Sequence, residues 1–159
     1  MSLDNSLFVQ KIILERDKVP SFAKYPFNIP VIKHLDKIVL KTPVTFLVGE
    51  NGVGKSTLIE AIAISQDLNP EGGTQNFSFS TLNTHSNLVK YLYIPKYGRP
   101  ETKFFLRAES FYNFSSEVQK LAEEEGNDLL YYSYGGNLHK CSHGESFLKL
   151  VENRFSNNV

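Results

Sequence analysis

The chain has 159 residues, 41% of them hydrophobic, which is enough for one domain with a real core. Lys plus Arg and Asp plus Glu both number 17, so the net charge is zero, which argues against charge-driven binding of nucleic acid across the whole surface. A single cysteine, Cys141, rules out an internal disulfide; with no apolar signal core in "MSLDNSLFVQK" and no run of membrane-spanning length, a cytoplasmic protein without a membrane partner is expected.

In chain order, "LFVQKIILE" (Leu7 to Glu15) predicts a strand, with β-branched residues in partial alternation. Pro20, Pro26 and Pro30 then impose an extended, aromatic-bearing loop. "VIKHLDKIVL" (Val31 to Leu40) reads as a second strand. Val44 to Val48 is a short apolar run ending at glycine, the pattern of a parallel strand buried on both faces. Lys55 to Ser65 predicts a helix that buries Leu58, Ile59, Ile62 and Ala63. Asn69 to Ser86 is polar and turn-rich, and "KFFLRAESF" (Lys103 to Phe111) is a further strand candidate. Ser116 to Glu125 predicts a helix, with Ser116 and Gln119 as a capping box and Gly126 as its stop. A last helix is expected from Ser142, with Phe147, Leu148, Leu150, Val151 and Phe155 on one face. The pattern is α/β: a central, mostly parallel sheet with a β-rich N-terminal part, residues 1–159 forming one nucleotide-binding domain.

The stretch "GENGVGKST" gives this fold its chemistry. Gly49, Gly54, Lys55 and Ser56 satisfy G-x-x-x-x-G-K-[ST]. Glycines allow positive φ and let backbone N–H groups approach phosphate oxygens, while the following helix start adds partial positive charge. Lys55 is placed to reach the β- and γ-phosphates of ATP, Ser56 to ligate Mg²⁺, and Thr57 to hydrogen-bond the α-phosphate. Tyr25 and Phe27 are candidates to stack on the adenine, or equally to pack in the core.

The same loop, with Asn51 and Gly52, resembles the G-x-N-G-x-G-K-[ST] form of ABC-type ATPases, including the SMC and RecF branch. "CSHGES" (Cys141 to Ser146) resembles a diverged ABC signature, with Ser142, Gly144 and Glu145 on its serine, second glycine and glutamine. Together with "PSFAKYPFNIP", "NPEGGTQNFSFST" and "FFLRAESF", nearly the whole chain is similar to small bacterial AAA-family ATPases of ABC type. The resemblance implies head-to-tail dimerisation, with each ATP held between the phosphate loop of one subunit and Ser142 and Gly144 of the other. It also implies a magnesium-side role for Glu109. "SHGE" is at the same time an ordinary capping box, Ser142 at the N-cap and Glu145 three residues on. His143 stands where the signature has its first glycine. His139, Cys141 and His143 lack a second ligand pair, so no metal site is expected there.

Hydrolases of this class also need an apolar strand ending in Asp, a following Glu that orients water, and a later histidine. No such block follows Cys141, and Asp128, His85, His139 and His143 are wrongly placed for these roles. Hydrolysis is therefore expected only with a segment beyond "ENRFSNNV", the chain being a fragment of an ATPase or a natural truncation. The alternative function is a non-hydrolysing ATP-binding regulatory or degenerate subunit. A small phosphate-loop kinase fits the length but lacks an arginine-rich lid. A nucleic-acid partner rests on analogy alone.

Overall fold

The computed structural model describes residues 7–70, 72, 86–108, 111–126, 132, 134–136, 138 and 141–154. The chain forms two compact units, one from residues 1–70 and 80–100, the other from 71–79 and 101–159.

In the first unit, the alternation around Leu7 to Glu15 yields strand β1 (Lys11–Leu14), with Ile12 and Leu14 turned into the core. Two other strands flank β1, β2 (Lys37–Val39) and β3 (Leu92–Tyr93), in the order β2-β1-β3. Both pairings are antiparallel, with Ile12 opposite Ile38 and Leu14 opposite Leu92. The expected second strand is shorter than the apolar run that suggested it. Pro30 sits at the start of a one-turn helix, α1 (Pro30–Lys33), and Ile32 and Leu35, three apart, bury together at helical spacing before the chain extends into β2. Arg16 fastens this turn by donating to the carbonyls of Lys33 and Leu35 at 2.9 and 3.0 Å, and its guanidinium lies 4.3 Å from the Phe22 ring centroid.

Helix α2 (Lys55–Ser65) has the expected bounds. Its buried residues are Leu58, Ala61 and Ala63, with Ile62 packed against the core, whereas Ile59 is 38% exposed. The helix is apolar nearly all round, so spacing alone does not tell which side meets the core. Leu58 and Ala61 join Ile12, Leu14, Phe27, Ile32, Leu35, Leu88, Leu92 and Ile94 in one cluster. Phe27 is 2% exposed and meets Tyr91 edge-on at 4.9 Å.

The parallel strand expected at Val44 to Val48 is not formed. These residues are unpaired, with Phe46 83% and Val48 88% exposed, and the sheet among the described residues is wholly antiparallel. An apolar run expresses a propensity for burial, but a strand exists only where a neighbour supplies the ladder of hydrogen bonds. No described strand lies alongside this one.

In the second unit, helix α3 (Phe111–Glu125) starts five residues before the expected serine. Ser115 and Ser116 are interior residues whose hydroxyls donate to the carbonyls of Phe111 and Tyr112, four positions back. Serine can make that bond mid-helix as well as cap, and with the helix already begun at Phe111 the expected Ser116–Gln119 box does not form; Gln119 binds Glu123 instead. Gly126 ends the helix with φ +59°. Helix α4 (His143–Arg154) follows the expected start at Ser142, but its apolar face is narrower than expected. Leu150 is fully buried and Phe147 packs beside it, while Leu148 is 63% and Val151 40% exposed; Phe155 lies outside the described residues. Leu150 joins Phe111, Phe114, Val118, Tyr134 and Leu138, with Phe147 stacked on Phe111 at 4.4 Å. The strand candidate at Lys103 to Phe111 forms no named strand; Phe105 makes a single bridge.

Candidate functional site

Gly49, Asn51, Gly52, Gly54, Lys55, Ser56 and Thr57 form one continuous feature of the first unit, the turn that enters α2. Two glycines carry the turn in conformations that side chains rarely adopt, Gly52 at φ +82° and Gly54 at φ +101°. Gly54 is the N-cap of α2, in the left-handed region, and makes no side-chain cap bond. It is also crowded. A Cβ there would collide with Cγ2 of Ile29 and stand 2.9 Å from Cγ1 of Val31. The Val31 N–H donates to the Val53 carbonyl at 3.3 Å, so the loop rests on the start of α1. That bracing was invisible in the sequence, because nothing in the spacing of Ile29 and Val31 says which turn they will meet.

The electrostatics of this turn favour an anion. The first N–H groups of a helix have no intrahelical acceptor, and here no side chain caps them. No acidic residue occupies the first turn of α2, so the positive end of the helix dipole is left uncompensated by the chain itself. The Lys55 ammonium folds back over the loop and donates to the carbonyls of Gly49 at 2.8 Å and Glu50 at 2.7 Å. A cation, a glycine turn and an uncapped helix start thus share one short loop. The Ser56 side chain is exposed and Thr57 half-buried, both in the first turn. These groups suit a polyphosphate, and the Ser56 hydroxyl is an oxygen donor of the kind Mg²⁺ takes alongside nucleotide phosphates. Among the described residues no cluster of three His, Cys, Asp or Glu side chains is placed to hold a metal alone. Glu109, the expected magnesium-side carboxylate, lies outside the described residues, as do His139 and the side chain of His143. Of the two adenine candidates, Phe27 is committed to the core, whereas Tyr25 is 63% exposed.

Ser142, Gly144 and Glu145 lie together in the second unit, at the start of α4. The Ser142 backbone N–H donates to the Glu145 carboxylate at 2.8 Å, and the Glu145 N–H donates to the Ser142 hydroxyl at 3.4 Å. This is a complete capping box, the structural alternative that the sequence allowed. The bond from the Ser142 N–H, then that from its hydroxyl, hold the Glu145 carboxyl below its ordinary value of 4.5. Gly144 is exposed, and a Cβ there would meet nothing within 4 Å.

No helix among the described residues is long and apolar enough to cross a membrane. The model of a family described as "AAA domain, putative AbiEii toxin, Type IV TA system" matches residues 44–133, which is more than half the chain and includes the whole phosphate loop. No curated protein matches the chain, and no solved structure does.

Proposed function

The chain belongs to this AAA-domain family, and on that premise we propose that it is a cytoplasmic ATP-binding domain of the ABC-type branch, acting as a nucleotide-dependent dimer. One observation carries the proposal: the uncapped, carboxylate-free start of α2 with Lys55 folded over its glycine loop. In this function Lys55 leaves the Gly49 and Glu50 carbonyls to neutralise the β- and γ-phosphates. The N–H groups from Gly52 to Thr57 bind phosphate oxygens, Thr57 takes the α-phosphate, and the exposed Tyr25 ring stacks on the adenine. The Ser56 hydroxyl holds Mg²⁺, which when bound offsets phosphate charge.

Ser142 and Gly144 of a second subunit complete the site head to tail. Their part rests on the resemblance of "CSHGES" to an ABC signature, and a helix start is a suitable place for it. Turnover requires in addition a metal-holding aspartate and a carboxylate that orients water.

Isothermal titration calorimetry tests the proposal. MgATP should bind saturably at one site per chain, and Lys55→Ala should remove the heat. Equal binding by the two proteins would sink it. Sedimentation with and without MgATP tests the dimer separately; a monomer at saturating nucleotide would rule out the head-to-tail arrangement while leaving the phosphate site intact.

A further inference from the structure

We propose that Cys141 and Lys149 form an oxidation-sensitive covalent clasp, a nitrogen–oxygen–sulfur bridge across the start of α4. The proposal is independent of nucleotide binding. The Lys149 ammonium lies 3.0 Å from the Cys141 sulfur, eight residues away in sequence. Both partners are held there. The Cys141 N–H donates to the Leu138 carbonyl at 3.3 Å, and the Ser146 hydroxyl shares its one proton between that carbonyl at 2.9 Å and the Ser142 carbonyl at 2.8 Å, fixing the turn that carries the cysteine. The Lys149 stem is seated against Gly135, where an added Cβ would stand 3.0 Å from the Lys149 Cβ. Two reactive groups fixed at contact distance react as one molecule rather than two. Cys141 is half-buried and Lys149 exposed, so a small oxidant reaches them.

The chemistry balances with hydrogen peroxide as oxidant. The first equivalent converts the Cys141 thiol to a sulfenic acid and releases one water. The second takes two further electrons as the sulfenic O–H and one Lys149 N–H are replaced by an O–N bond, releasing two waters. The thiolate is the reactive form of cysteine. Two equivalents of a dithiol return the four electrons taken by the two peroxides, cleaving the S–O and N–O bonds, releasing one water and restoring both side chains. As Cys141 is the only cysteine, no internal disulfide competes.

Intact-mass spectrometry of the full chain after mild peroxide treatment tests this. The expected product gains one oxygen and loses two hydrogens. It reverts with dithiothreitol, resists trypsin after Lys149, and appears as the single peptide Cys141 to Arg154 carrying the same mass change, whose tandem spectrum lacks backbone fragments between Cys141 and Lys149. Lys149→Arg keeps the positive charge but should form none of this product. Simple oxygen additions in the wild type, or a disulfide-linked dimer formed equally by both proteins, would overturn the proposal. The wild-type tandem spectrum decides the matter even if the variant folds poorly.

Discussion

Two helix starts in this chain carry the same backbone groups and treat them in opposite ways. Helix α4 is closed by its own side chains, Ser142 and Glu145 bonding reciprocally and placing a carboxylate at the positive end of the dipole. Helix α2 has a bare glycine at its N-cap and no acid in its first turn. A start that supplies its own anion gains stability and loses the need for a ligand. A start that supplies none leaves that place for something else, and here a lysine is folded over it. The difference teaches that the same backbone groups can be closed by the chain's own side chains at one helix start and left open at another.

Breaking the open end should have the largest effect. MgATP at a hundredfold excess over its Kd should stabilise the protein by about 2.7 kcal/mol, and Lys55→Ala should erase that gain in urea unfolding followed by circular dichroism. Gly54→Ala comes next. It forces a side chain into the left-handed region and against Ile29 and Val31, so a loss of about 2 kcal/mol is expected without nucleotide. A neutral result would show that the α1 segment yields easily. The closed end should respond less. Ser142→Ala should cost about 1 kcal/mol and leave the Lys55-dependent nucleotide gain of a monomer unchanged; a reduced gain together with weaker nucleotide-driven dimerisation would favour the trans contact.

The smallest effect is acid sensitivity. The Glu145 carboxyl is held below its ordinary value by Ser142, so its contribution is full above about 4.5, the unfolded value, and is lost as pH falls through the depressed folded value. Acid unfolding of wild type and Glu145→Gln should therefore converge at the acid end and separate above it. Parallel curves throughout would mean that the charge on the Glu145 carboxylate contributes nothing to stability.

Much of this contrast was legible in the residues. The glycine turn before α2 and the bounds of α2 followed from glycine spacing and an apolar run, because both depend on local backbone chemistry. The Ser142–Glu145 box was equally local. What the sequence hid was contact between distant segments. The support of Gly54 by Ile29 and Val31 depends on where α1 lands, and the division of Val31 to Leu40 into a helical turn and a strand depends on Pro30 and on β1 as a partner. Ser116 misled for another reason, since its hydroxyl satisfies a carbonyl inside a helix as well as an N–H at its start.

The unpaired run at Val44 to Val48 carries a consequence for the protein in a tube. From Thr42 to Gly49 the chain has no charged side chain, and after Pro43 it has no proline before the loop. With Phe46 and Val48 wet and the run in neither helix nor sheet, this is a segment of the kind that seeds intermolecular β-sheet from a folded state. Solubility should accordingly be limited by this stretch, and Thr45→Lys should raise the concentration at which light scattering departs from that of dispersed particles.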